Sequence, residues 1–392
     1  MDLALLRTHE FHRILLIKLS AVGDVIHTIP VLHKLRRRYP AARIDWLLRP
    51  QIAELIGHHP AVTNVLPFAR RELPWRAGGR TLRNLADLVG EMRATRYELA
   101  IDLQGQVRTA LFALASRAPV RIGFDRPRRE VWQATERKLP PEAYRHGWKG
   151  AREGSWIAYT HPIRIATLDM HAVDRYLRVG DLLGLDDGPA DFSFVIPPPA
   201  AARADELLDR LAARGRGPGL VVLAPGTMWE TKHWTAEGFA AVARHFLDQG
   251  RPVVLIGSAA DRRVCAEIVA AAPGAVDLAG RTTLTELAAI VHRATLCITN
   301  DSGPMHLAVA LQRPVVSIFG PSDALWIGPY RRPEAVISAQ VPCAPCYLRA
   351  LRRCPNDHAC MRAVSPAGVI ERAERSLAAA GANVEVAIGI DG

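Results

Sequence analysis

Short β-branched apolar runs alternate along the chain with longer amphipathic stretches, the order expected of parallel α/β units. The runs predict strands at Ile14–Leu19, Ile44–Leu48, Leu99–Leu103, Leu220–Leu223, Pro252–Ile256, Leu296–Thr299 and Val315–Phe319, with helices between them. A last helix is predicted over Pro366–Ala379. Near Asp186–Pro199 the pattern lapses into Asp-Asp-Gly-Pro and then Pro197-Pro198-Pro199, which predicts a stiff, non-helical joint. Two domains of similar size follow, 1–196 and 197–364, with 365–392 expected to return toward the first. Each would present strand-to-helix loops at one sheet edge, where open α/β sheets bind ligands.

Length agrees, since 392 residues at ~150 per domain give two or three domains. An apolar fraction of 49% with 23% charged residues is that of an ordinary globular chain and excludes collagen-like or disordered character. No run approaches the ~20 apolar residues of a bilayer-spanning helix. Met1–Arg13 lacks the continuous apolar core of a secretory signal, so the expected compartment is the cytoplasm.

Charge changes the picture, because the net +11 is uneven. Residues 1–200 hold 30 Lys/Arg against 21 Asp/Glu, whereas residues 201–330 hold 12 against 12. The first half is therefore expected to meet something anionic, phosphates or a membrane surface. Arg70, Arg71, Arg76, Arg80, Arg83, Arg126, Arg128 and Arg129, with Trp75 and Trp132 among them, are the candidates; a merely solvated arginine-rich loop pair is the alternative.

Three loops could carry chemistry. After the first strand, Ser20–Thr28 places Gly23 at a tight turn and Asp24 near a helix start, where an acid is also favoured by the helix dipole alone. The loop lacks G-x-G-x-x-G, which disfavours a nicotinamide site. After Leu220–Leu223, Gly226 and Thr227 followed by Lys232 suit a diphosphate, with backbone and hydroxyl donors and one point charge. Thr299–His306 joins a strand to a helix, with Asp301 or Ser302 as N-cap and Pro304 in the first turn, so its free amides form an anion site to which His306 adds a donor. Asp261 stands where an acid could accept from ribose hydroxyls, or serve as an ordinary first-turn helix acid.

Taken in order, Ser20–Thr28, Ile101-Asp102-Leu103-Gln104-Gly105, Pro225–Trp234, Asp301–His306 and Arg313–Ser322 resemble the ADP-heptose:lipopolysaccharide heptosyltransferases of glycosyltransferase family nine, over roughly residues 13–375. The resemblance implies a GT-B architecture of two Rossmann-like domains, with the acceptor on the first and the nucleotide sugar on the second. It implies Asp24 as general base, Lys232 and Thr227 at the donor phosphates, and Asp301, Ser302, Gly303 and His306 around the diphosphate and sugar. It also implies Asp261 on the ribose, and the backbone at Thr283 and Leu284 on the adenine. Direct displacement with inversion needs an acceptor hydroxyl deprotonated as it attacks, charge on the leaving diphosphate and exclusion of water, with no obligatory cofactor. The implied partners are ADP-heptose, an anionic lipid-linked glycan or protein acceptor, and the inner membrane surface, with no nucleic acid. A nucleotide-sugar epimerase of the same fold is the competing class.

Two departures stand out. Residues 145–170 are longer than the pattern expects before His171-Ala172-Val173-Asp174-Arg175. Cys343, Cys346, Cys354 and Cys360 form C-x2-C-x7-C-x5-C, a cluster also met in the second heptosyltransferase of the pathway and in iron-containing enzymes that heptosylate autotransporters. In a reducing compartment four thiolates suit structural zinc or a single iron, with Arg349, Arg352 and Arg353 expected to lower the thiol pKa values. Ordinary thiols or two disulfides are the alternatives.

Overall fold

The computed structural model describes residues 2–68, 79–136, 150–212 and 219–388, and these fall into two compact units divided in sequence between Val195 and Ile196. In the first unit the strands are β1 (Arg13–Ile17), β2 (Arg43–Leu48), β3 (Asn64–Pro67), β4 (Leu99–Asp102), β5 (Val120–Phe124) and β6 (His161–Ile163), ordered β3-β2-β1-β4-β5-β6. The second unit holds β7 (Leu220–Ala224), β8 (Val253–Leu255), β9 (Val276–Asp277), β10 (Ala294–Asn300), β11 (Val315–Phe319) and β12 (Val336–Ser338), ordered β12-β11-β10-β7-β8-β9. Every pairing is parallel.

Counted within its own unit, each sheet follows the same order, 3-2-1-4-5-6, the doubly wound order of dinucleotide-binding folds. The direction of winding reverses between β1 and β4 in one unit and between β7 and β10 in the other. The loops that leave those strands open a crevice, and the candidate residues sit on these loops.

The predicted strands are those buried on both faces: Ile14, Leu15, Leu16 and Ile17 are all inaccessible, as are Val221, Val222 and Leu223. The pattern missed β3, β5, β6, β9 and β12. These strands are short and, β5 apart, lie toward sheet edges, with Asn64, Pro67, His161 and Pro162 interrupting the apolar run. In β5, Arg121 and Gly123 break the pattern, and a Cβ on Gly123 would lie 2.5 Å from the ring of Tyr159. Leu15, Ile17, Leu47, Phe68 and Phe112 belong to one core; Val221, Phe239, Phe246, Ile298 and Met361 belong to the other.

The proline run does not stay non-helical. A helix runs from Pro198 to Ala212, because first-turn amides need no partner and Pro198 and Pro199 therefore fit there. The preceding segment is fixed to the first unit instead: Lys34 Nζ and Arg37 Nε hold the Asp186 carboxylate at 2.8 and 3.1 Å. Hydrogen bonds from Arg37 and then Lys34 pull that carboxyl down to about 2. His33 and His59 both place Nε2 on the Ser193 carbonyl, at 2.9 and 3.0 Å. The last helix spans Pro366–Ile388 and contributes Val369 and Ala373 to the core of the second unit. Among the described residues no helix is long and apolar enough to cross a membrane.

Candidate functional site

In the first unit, β1 runs through Leu19-Ser20-Ala21 into the short helix Val22–Ile26. Asp24 stands at its third position, and its Oδ2 accepts the Ala21 amide at 3.1 Å, so one oxygen does serve as the helix-terminal acid. The other oxygen has a different partner. Oδ1 accepts the Tyr176 hydroxyl at 2.9 Å and lies 3.7 Å from Lys18 Nζ. Lys18, itself buried, donates to the Tyr176 oxygen at 2.7 Å and to the Leu103 carbonyl at 2.9 Å. Burial is the largest influence on Lys18 and lowers its pKa, against the pull of Asp24; burial pushes the Tyr176 phenol well above its usual range. Tyr176 therefore stays protonated and hands its hydrogen to the carboxylate. The Asp24 side chain is still 38% exposed, enough to reach a substrate.

Tyr176 and Lys18 were not singled out from the sequence. Tyr176 lies 152 residues from Asp24, in the helix Ala172–Leu177, directly after the His171–Arg175 segment. A hydrogen bond to a charged group contributes about 1.5–3 kcal/mol, so Tyr176→Phe is expected to lower kcat by roughly tenfold or more. KM should change little, and the acid limb of the pH–rate profile should move to higher pH because the charged carboxylate loses its donor. An unchanged profile would leave Tyr176 a packing group only.

A recess lies beside this network, lined by Leu19, Ser20, Arg49, Phe68, Gln104, Gln106 and Arg108. Ser20 N reaches Gln104 Oε1 at 3.4 Å and Arg108 donates to Gln106 Oε1 at 2.6 Å. The turn that carries the glutamines is shaped by Asp102, whose Oδ1 accepts the amides of Gln104 and Gly105 at 2.8 and 3.1 Å. Burial raises the Asp102 carboxyl, and the Tyr159 hydroxyl meets its second oxygen at 2.8 Å. The long stretch before His171 thus supplies β6 and a brace for this turn.

The anticipated arginine surface is placed only in part. Arg70, Arg71 and Arg76 lie outside the described residues. Arg128 and Arg129 are exposed at the start of the helix Arg129–Gln133, with Arg128 Nε on Asp125 at 2.7 Å. Arg49 and Arg108, which no motif marked, line the recess because each follows the C-terminal end of a strand.

In the second unit, Lys232 Nζ lies 2.5 Å from Asp301 Oδ2, with side chains only 10% and 4% exposed. Ser322 Oγ donates to the same oxygen, and Thr227 Oγ1 reaches the Asp301 carbonyl at 3.4 Å. The helix Gly303–Ala310 starts here with Ser302 as N-cap and Pro304 in its first turn. The Ser302 hydroxyl is buried without a hydrogen-bond partner, and His306 is buried one turn in. A lysine, hydroxyls and a helix N-terminus converge at the crevice between β7 and β10, a set of donors whose chemistry suits an anion.

Asp261 lies against it. A Cβ on Gly226 would fall 2.3–2.5 Å from the Asp261 carboxylate, so glycine is what lets the two loops meet. Asp261 serves as a helix-terminal acid: its Oδ2 accepts Ser258 N and Oγ, each at 2.7 Å, beside the glycine loop. Thr283 caps the helix Leu284–Arg293 in a reciprocal pair with Glu286. Its loop packs on the Gly257–Asp261 loop through Gly280 N to Gly257 O at 2.8 Å.

The cysteine cluster departs from expectation. Cys343, Cys346, Cys354 and Cys360 are free, and among the described residues no group of three or more His, Cys, Asp or Glu is disposed to hold a metal ion. Two of the thiols move opposite to the expected lowering: burial, then the neighbouring cysteines, raises Cys360 to about 11, and burial raises Cys346. The loop is ordered by ordinary means. Tyr347 is buried against Trp326, with ring centroids 5.3 Å apart, and Met361 and Cys360 fill the space over Gly320. Thr231 Oγ1 donates to Leu348 O at 2.5 Å, Leu351 N to Glu230 Oε2 at 2.8 Å, and His358 Nε2 lies 2.7 Å from Thr231 O.

Two doubly wound sheets, one with a hydrogen-bonded carboxylate and the other with a cluster of donors beside the strand where its own winding reverses, are the architecture of a GT-B glycosyltransferase. The family model described as Glycosyltransferase family 9 (heptosyltransferase) matches residues 85–146 and 141–355, and the chain belongs to that family. Lipopolysaccharide heptosyltransferase 1 of Pseudomonas aeruginosa is 31% identical over 355 residues, covering 88% of this chain and 89% of that protein. The family 9 glycosyltransferase of Veillonella parvula superposes with a TM-score of 0.73 at 22% identity, covering 94% of this chain and 97% of that one. Escherichia coli heptosyltransferase WaaC, solved with ADP-2-deoxy-2-fluoro heptose, gives 0.66 at 23%, covering 93% and 99%. These two structures bear on the fold.

Proposed function

We propose that the protein moves a heptose from ADP-heptose to a hydroxyl of an anionic, lipid-linked glycan, the inner core of lipopolysaccharide, with inversion at the transferred carbon. Asp24 takes the acceptor proton as the hydroxyl oxygen bonds to that carbon. The bond to the diphosphate breaks in the same displacement, and ADP leaves onto Lys232, the Ser302 hydroxyl and the amides that open the Gly303–Ala310 helix. Asp261 serves the ribose and the Thr283–Leu284 backbone the adenine.

The observation that carries this reading is the Asp24 carboxylate, held by Tyr176 at the crevice of the first sheet yet open to a substrate. The likeness to lipopolysaccharide heptosyltransferase 1 of Pseudomonas aeruginosa supports the donor and the acceptor class. Incubating the protein with ADP-heptose and deacylated inner-core acceptor tests it: ADP release matched by a heptose mass gain is expected, with the inverted anomer by NMR. Donor hydrolysis without sugar transfer, or a changed sugar still on the nucleotide, would reject it.

The recess beside Asp24 fits an anionic group of the acceptor. Arg49 and Arg108 line it, and their two guanidinium forks suit one carboxylate or phosphate. Arg108→Gln is expected to raise acceptor KM at least tenfold while donor affinity stays within twofold. An unaltered acceptor KM would remove the recess from the acceptor path.

A further inference from the structure

Lys232 alone does not answer the charge of a leaving diphosphate. Its ammonium is already opposed by Asp301 at 2.5 Å, in a position where both side chains are nearly inaccessible, so the pair brings almost no net charge to the anion. The next residue group at this loop is Trp229. Its indole carries two cations: Lys232 Nζ at 4.2 Å from the ring centroid and Arg349 Cζ at 4.7 Å. The two charges are thus no more than about 9 Å apart, comparable to the ~8–10 Å screening length at physiological salt.

Arg349 comes from the cysteine-rich loop, more than a hundred residues away in sequence, and its placement is built on both sides. One residue before it, the Leu348 carbonyl accepts Thr231 Oγ1; two residues after it, the Leu351 amide is held by Glu230 Oε2. Both tethers run to the residues immediately preceding Lys232. The clasp therefore fixes the Arg349 backbone to the phosphate loop, and the indole face directs its guanidinium. Arg349 is exposed and, among the described residues, in no ion pair, while Lys232 is buried and paired, so the arginine can meet an arriving anion directly.

We infer that Arg349 is a second donor-binding cation, supplied by the cysteine-rich loop to the diphosphate of the nucleotide sugar. This rests on the assignment of the donor phosphates to the Lys232 loop. It gives the clasp between residues 230–231 and 348–351 a purpose beyond order: it carries the uncompensated positive charge of the site to the phosphates. A guanidinium there binds both substrate and leaving group, and its effect grows as negative charge accumulates on the diphosphate during bond breaking.

Calorimetric titration of the full chain with ADP and, separately, with adenosine tests it. Arg349→Gln is expected to weaken ADP binding about tenfold or more and to leave adenosine within twofold; Arg349→Lys should keep a large part of the ADP affinity, and Arg349→Glu should lose more than Arg349→Gln. The wild-type ADP affinity should also fall more steeply with added NaCl than that of Arg349→Gln, a comparison that needs only the folded variant. An ADP-to-adenosine ratio unchanged by Arg349→Gln, with Lys232→Ala still impaired for ADP, would make Arg349 a packing group and leave the donor reading intact. If neither substitution alters ADP binding, the assignment of the diphosphate to this loop falls, and the role of Arg349 with it.

Discussion

Asp24→Asn is expected to abolish most turnover, by a factor on the order of 10²–10⁴, while ADP-heptose binding is retained. The amide keeps the size of the carboxylate, and its single oxygen can still accept one of the two donors that now hold Asp24, the Tyr176 hydroxyl at 2.9 Å or the Ala21 amide at 3.1 Å. What it lacks is a basic oxygen for the acceptor proton and a negative charge facing Lys18. Single-turnover assays, with donor affinity measured in parallel, separate these effects. Near-normal turnover in the variant would reduce Asp24 to a helix-terminal acid and place the base elsewhere.

Lys232→Ala should be the most damaging change in the second unit. It removes the ammonium from the Asp301 carboxylate and leaves that carboxylate nearly inaccessible, with the Ser322 hydroxyl on one oxygen. An incoming diphosphate then meets a bare negative charge. Loss of one partner from a buried charge pair costs on the order of 2–4 kcal/mol, or roughly 30- to 1,000-fold in affinity. Titration with ADP measures it, and the pairing with Asp301 gives a second check. Adding Asp301→Asn to Lys232→Ala should recover part of the lost affinity, because the stranded charge disappears. Equal ADP affinity in wild type and Lys232→Ala would confine Lys232 to a structural ion pair.

What could be read from the sequence was what is encoded locally. The central strands announce themselves because burial on both faces demands unbroken apolar runs, and Gly226, Lys232 and Asp301–His306 stand out because each lies within a turn or two of such a strand. Tyr176 and Arg349 carry no local signal: one reaches Asp24 and the other Trp229 only through the tertiary fold. Arg49 and Arg108 looked like two more basic residues in a basic half until the loops that carry them lined one recess. The four cysteines that the spacing singled out do lie near one another, since Cys343, Cys346 and Cys354 all act on the Cys360 thiol. Clustered thiols in a segment with little apolar patterning suggest a metal as the ordering force, but a single buried tyrosine, Met361 over Gly320 and three hydrogen bonds to residues 230 and 231 organise the loop. The triple proline misled, since its middle residue opens a helix.

The repeated strand order has a consequence for how such a chain can diversify. Each half carries its own sheet, its own core and its own crevice, and the corresponding loops after β1 and β7 bear opposite charge, an aspartate in one and a lysine in the other. The residues that line the Arg49 and Arg108 recess all belong to the first half, and Lys232 with its partner Asp301 to the second. With the acceptor proposed for the first half and the donor for the second, a lineage of such proteins would be expected to vary fastest in the loops of the first half and slowest around Gly226, Lys232 and Asp301.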